Sequence, residues 1–179
     1  MNPPPLRRRV RNGTLLLPTL ALLMGGLAIP KVYPLSYAIR DTLYRNYLKI
    51  EAAQHMQQAL GATQVAERDS KLTAVLPGER RTFMRWIDVV QHDLTEAGEA
   101  ELAQDVADRG RALFVDLAAN GRVRDDRFSM LRARLDDLIS INRAAMFRAD
   151  SRANSLGNRL TSEFVVGLIL PLIIGFALS

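Results

Sequence analysis

The sequence predicts an all-α chain in which two transmembrane helices flank an antiparallel four-helix bundle with long first and fourth helices. Three observations lead there: an uncharged apolar run towards each end, apolar residues recurring at steps of three and four between them, and turn signals that divide the interior into four helical stretches. With 179 residues, 48% of them hydrophobic and only 6% aromatic, the chain holds one modest domain plus membrane segments, not a large multidomain enzyme. It has no cysteine, which excludes a disulfide framework and thiolate metal sites.

The first apolar run, residues 13–30 (GTLLLPTLALLMGGLAIP), carries no charge, and as a helix it is about 27 Å long, close to the thickness of a bilayer core. Arg7, Arg8, Arg9 and Arg11 stand just before it and supply nearly all of the net charge of +5. Basic residues beside an apolar run stay on the cytoplasmic side, so residues 1–12 form a cytoplasmic N-terminus, and membrane lipid rather than nucleic acid is the expected partner. Ile29 and Pro30 make a poor cleavage junction, which favours an uncleaved anchor over a signal peptide. The second run, residues 164–179 (FVVGLILPLIIGFALS), is about 24 Å of apolar helix and lacks flanking basic residues, so the second span, residues 163–179, reads as truncated. Between them, residues 31–162 are expected in the periplasm, with the chain in the bacterial inner membrane.

The periplasmic part begins with a helix over about residues 35–71, placed between Pro30 and Pro34 on one side and Pro77-Gly78 on the other. Ile39, Leu43, Asn46, Ile50, Ala53, Gln57 and Leu60 form its main seam at coiled-coil spacing. A second stripe, Leu48, Ala52, His55, Ala59, Ala62 and Ala66, is small enough for another helix to approach closely. Phe83, Ile87, Val90 and Leu94 mark a second helix over 79–94, and Thr95-Glu96-Ala97-Gly98 a turn. Leu102, Val106, Leu113 and Leu117 mark a third helix ending near Asn120-Gly121, a pair suited to a left-handed terminus. The fourth starts at Asp125 or Asp126, acids favoured at a helix start, and carries Leu131, Leu135, Leu138, Asn142, Ala145 and Ala149 towards the second run.

The first and fourth helices would each be about 54 Å long and the middle two about 25 to 33 Å. The short pair therefore packs at the membrane-distal end, and the proximal halves of the long pair form a bare hairpin. A parallel homodimer would cover that hairpin and give the second alanine stripe a partner.

Asn46-Tyr47, Ala52-Ala53-Gln54 and Met56 resemble the first-helix pattern in the periplasmic sensor regions of membrane histidine kinases related to the alginate-biosynthesis sensor kinase. Leu94-Thr95-Glu96-Ala97-Gly98-Glu99 resembles that family's turn between the second and third helices, and Asn142-Arg143-Ala144-Ala145-Met146 its fourth-helix pattern. Lys49 stands where a serine is commonly found. The resemblance covers most of residues 35–179 and implies a two-component sensor histidine kinase, of which this chain is the extracytoplasmic sensor domain and transmembrane region. Its cytoplasmic kinase module would lie outside the chain. A chemoreceptor of the methyl-accepting type and a membrane-tethered helical scaffold are the alternatives; a phosphoacceptor-histidine helix or a long heptad run after the second span would separate the first two.

Asn46 and Asn142 interrupt apolar seams, where a buried amide must find a partner and so penalises other registers; Tyr47 and Gln57 are candidates for the same polar, signal-responsive layer. Arg80, Arg81, Arg122, Arg124 and Arg127 are a weaker candidate anion site near the starts of the second and fourth helices, set against simple pairing with Glu79, Asp125 and Asp126. His55 and His92 stand without a ligand set, so no metal is expected; no catalytic spacing and no cofactor motif appears either.

Overall fold

A computed structural model describes the backbone of residues 6–177 and the side chains of residues 37–159, with a few side chains beyond. Its elements are α1 (Leu6–Arg68), α2 (Leu72–Gln91), α3 (Glu99–Asn120) and α4 (Asp125–Ala177). Short connections make successive helices antiparallel. Residues Asp41–Ala149 form one compact unit, the bundle; the remaining residues of α1 and α4 belong to a second unit.

Two helix boundaries differ from the sequence expectation. Pro30 and Pro34 do not interrupt α1, whose backbone is helical from Leu6 onwards. A proline removes its own N–H bond and strains the turn before it, and a helix long on both sides can carry that local defect. α1 ends at Arg68, close to the expected Lys71, but α2 starts at Leu72 and not at Glu79, so the break is confined to Asp69–Lys71 and Pro77-Gly78 lies beyond it. Ser70 adopts φ 58°, Lys71 N–H donates to Ala66 O at 2.8 Å and Ser70 N–H to Glu67 O at 3.4 Å, which together make a Schellman termination. Pro77 then lies inside α2, whose buried face of Leu72, Leu76, Phe83, Ile87 and Val90 passes straight through it. A proline in a helix interior costs about 3 kcal/mol, whereas burying Leu72 and Leu76 returns roughly 1.5–3 kcal/mol each.

Gly121 ends α3 as expected, with φ 68° and its N–H on Leu117 O at 2.9 Å. α4 starts at Asp125.

In the core, α1 presents a wide arc instead of a narrow seam. Asn46, Ile50, Ala53 and Leu60 of the main seam are buried, and so are Ala52, Ala59 and Ala66 of the second stripe. Between the two runs a third row, Lys49, Met56 and Thr63, completely buried and seven residues apart. Ala52, Ala59 and Ala66 of the alanine stripe therefore pack inside the bundle on the side of α2, where His55 stacks on Trp86 with ring centroids 4.5 Å apart, while Ala62 is exposed. The main seam faces α4: Gln57 Nε2 donates to Asp136 Oδ1 at 2.7 Å and Gln64 Nε2 to Asp125 Oδ1 at 3.1 Å. Across the bundle, Phe83 and Phe114 pack at 5.5 Å with rings tilted by 60°. Gly110 lets the Phe83 ring lie against the α3 backbone, since a Cβ there would overlap it.

The four-helix part reaches further down α1 than the expected distal cap. The α2–α3 turn packs at the level of Arg45 and Lys49. The two apolar runs, 13–30 and 163–179, lie largely outside the residues whose side chains are described. Among the described residues no helix is long and apolar enough to cross a membrane.

Candidate functional site

The polar groups of the interior gather where α1 and α4 meet the α2–α3 turn. α1 contributes Asn46 and Lys49, one helical turn apart and both fully buried. α3 contributes Glu99, its first residue, also fully buried, which follows Gly98 in the left-handed conformation (φ 79°) that swings the chain from the turn into the helix. α4 contributes Asn142.

Lys49 Nζ donates to Glu99 Oε2 and to Thr95 Oγ1, each at 2.9 Å. The same carboxylate oxygen accepts the backbone N–H of Thr95 at 3.0 Å and of Glu96 at 3.1 Å. Burial pushes the Glu99 carboxyl up. The Lys49 bond, the two backbone donors and a further contribution from the Asn142 amide outweigh it and hold the group below the ordinary 4.5. Its place at the N-terminus of α3 favours the anion as well.

The rest of the layer is incompletely paired. Asn142 Nδ2 donates to Leu138 O at 2.9 Å, while Asn142 Oδ1, Glu99 Oε1 and both amide atoms of Asn46 are buried with no hydrogen-bond partner among the described residues. Asn142 thus lies close enough to Glu99 to lower its pKa, yet is not placed to satisfy Oε1. Each unpaired buried polar group costs roughly 1–3 kcal/mol.

Two exposed ion pairs clasp the same turn from outside. From α1, Arg45 Nη1 donates to Asp93 Oδ1 at 3.1 Å, a bond that raises the arginine's pKa, helped by the nearby charge of Asp41. From α4, Arg148 Nη2 donates to Glu96 Oε2 at 2.8 Å. The turn is therefore held by α1 and α4 together, and a displacement of one of these helices against the other loads it.

Asn46 and Asn142 occupy the interior, where the sequence placed them. Tyr47 does not join them: it is 55% exposed on the outer side of α1. Gln57 sits at the half-buried rim of the α1–α4 contact, about two helical turns beyond Lys49. Lys49, Glu99 and Thr95 were missed. Their signal was the position of Lys49 midway between two apolar stripes, where the centre of the buried arc must fall.

The five arginines make no shared site. Because α2 starts at Leu72, Arg80 and Arg81 are about 12 Å along it, away from its free N–H groups. Arg81 Nε donates to Pro77 O at 3.1 Å, Arg124 pairs with Asp126 at 2.7 Å, Arg127 pairs with Asp116, and Arg80 and Arg122 are exposed. His55 contacts Gln58 and Trp86, and His92 pairs with Asp88 on its own helix; among the described residues no cluster of three metal-ligating side chains occurs.

Comparison with protein-family models, with curated proteins and with solved structures finds no match to this chain.

Proposed function

We propose that this chain is the input and transmembrane region of a bacterial two-component sensor histidine kinase, anchored in the inner membrane by residues 13–30 and 163–179, with the bundle in the periplasm. The observation that carries this reading is that α1 and α4, the two helices ending in uncharged apolar runs, also share the buried amides Asn46 and Asn142. Val165, Val166 and Ile169 of the second run are exposed, a surface suited to lipid. A stimulus that changes how α1 and α4 engage the polar layer shifts the two helices along each other, and the spans carry the shift to a kinase module across the membrane. Coupling of about 1–3 kcal/mol changes output several-fold, which is within what repacking one buried amide supplies. The bundle contributes no chemistry in this reading; the described polar residues position helices.

Two experiments test it. The chain has no cysteine, so Arg85→Cys on α2 can be probed with a membrane-impermeant maleimide on intact spheroplasts. Labelling is expected; labelling that waits for lysis would reverse the topology and remove the reading. In the full-length parent, Asn46→Leu and Asn142→Leu are expected to alter basal autophosphorylation while the bundle stays folded. Basal and stimulated phosphorylation both unchanged in both variants would argue against a transmitting role for the layer.

A further inference from the structure

The Lys49–Glu99 pair leaves part of the polar layer unaccounted for. Glu99 Oε1, Asn142 Oδ1, Asn46 Oδ1 and Asn46 Nδ2 are shut off from solvent, and none has a hydrogen-bond partner among the described residues. These atoms belong to one level of the bundle. Asn142 lies near enough to Glu99 for its amide to act on the carboxyl, and Lys49 ties α1 to the same carboxyl with a 2.9 Å bond to Oε2. Asn46 precedes Lys49 by one turn, about 4.5 Å of helix, and is itself fully buried. The next buried positions are small: Ala52 and Ala53 follow Lys49 by three and four residues, Ala103 follows Glu99 by four, and Ala145 follows Asn142 by three.

We infer that this layer is a binding site for one internal water molecule, which donates to Glu99 Oε1 and Asn142 Oδ1 and accepts from the amide of Asn46. Hydrogen-bonding capacity selects the occupant. Asn142 Nδ2 is committed to Leu138 O at 2.9 Å, so the free atom of that amide is its acceptor. Glu99 Oε1 is a second acceptor, and Asn46 offers a donor and an acceptor whichever way its amide is turned. The occupant must therefore bring two hydrogens and a lone pair, and water carries two of each. An anion without hydrogens would face the carboxylate unpaired. A cation would add charge beside Lys49 and Glu99, which already neutralise each other where both are fully buried. Internal waters make about three hydrogen bonds to groups otherwise unpaired, and Glu99, Asn142 and Asn46 supply them. In this arrangement α1 engages α3 and α4 through a shared solvent molecule as well as through Lys49. The site depends on the bundle alone, so it stands whether or not the chain signals across a membrane.

A crystal structure of the full chain, grown from a lipid mesophase at a resolution that orders solvent, tests it. One water is expected within about 2.7–3.2 Å of Glu99 Oε1, of Asn142 Oδ1 and of the Asn46 amide. Direct hydrogen bonds from Asn46 to Glu99 or Asn142 with no solvent between them would overturn the inference, as would a larger ligand in that place or a layer without solvent. As a second measurement, oxygen-17 relaxation dispersion counts internal waters of long residence in solution. Asn142→Leu is expected to lose one such water relative to the wild type, while Met130→Leu on the exposed side of α4 keeps the count. Equal counts in the wild type and Asn142→Leu would also overturn it. Neither measurement refers to topology, so the labelling of Arg85→Cys can fail while this site is found, and the reverse.

Discussion

Around Phe83, Phe114 and Gly110 the bundle interior is apolar and closely fitted, whereas at Asn46, Lys49, Glu99 and Asn142 it is polar and only partly paired. The same four helices build both. In the apolar region any shift along the helix axes opens gaps or drives a ring into backbone, so one arrangement is far below the rest. In the polar layer the helices are tied by one ion pair and by amides with hydrogen-bonding capacity to spare, so neighbouring arrangements are closer in energy. The closely fitted part and the partly paired part belong to the same helices, and the partly paired part is where α1 and α4 meet the turn they both hold.

Breaking one partner of the buried pair tests that contrast most severely. Lys49→Met leaves Glu99 uncompensated and is expected to lower unfolding stability by about 3–5 kcal/mol in urea titrations. Lys49→Met combined with Glu99→Gln should recover a large part of that loss, because the stranded charge is gone. No recovery would mean the pair holds the turn by more than charge.

In the apolar region, Gly110→Ala forces the Phe83 ring aside and is expected to cost roughly 1–3 kcal/mol, with the loss partly rescued by Phe83→Leu. If the two substitutions were simply additive, the close approach would not be what fixes the α2–α3 spacing.

Acid sharpens the comparison further. The folded state holds Glu99 below its ordinary 4.5, so the carboxylate's contribution is fully present above pH 4.5 and is lost as pH falls through the lowered folded value. Stability should therefore decline on acidification below about that pH, and Glu99→Gln should flatten the decline. Hydrogen exchange would place the first loosening at the amides of Thr95 and Glu96, ahead of those near Phe83 and Phe114.

The smallest expected effect lies outside both regions. Ser70 holds a left-handed backbone conformation at the end of α1, and Ser70→Gly should stabilise the bundle by about 0.5–1 kcal/mol in thermal unfolding.

How much of this was legible in advance depended on the range of the interaction. Gly121 announced the end of α3 because a glycine after asparagine at the end of an apolar stripe carries its own conformational reason. Ser70 performs the same office for α1 without that signature; the end of α1 was still placed within a turn, but the conspicuous Pro77-Gly78 was taken to keep α2 from starting, and its start was misplaced by about two turns. That error carried into the arginine cluster, since Arg80 and Arg81 approach a helix start only if α2 begins at Glu79. Asn46 and Asn142 stood out because each interrupts an apolar period on its own helix. Lys49 and Glu99 did not: they are fifty residues apart, and a lysine or a glutamate taken singly reads as solvated surface.

By itself the sequence determined that the chain is helical, that it has four helical stretches, where α3 ends and α4 begins, and the core-facing seams of α3 and α4; on α2 it found Phe83, Ile87 and Val90, missed Leu72 and Leu76, and included Leu94, which is exposed beyond the helix end. Each is set by spacing or backbone preference within a few residues. The tertiary structure decided that α1 buries an arc wide enough to engage two neighbours at once, which takes the alanine stripe into the bundle. It also decided that Lys49 and Glu99 meet beneath the turn. Both depend on which helices lie beside α1 and at what height, and local periodicity holds no information about that.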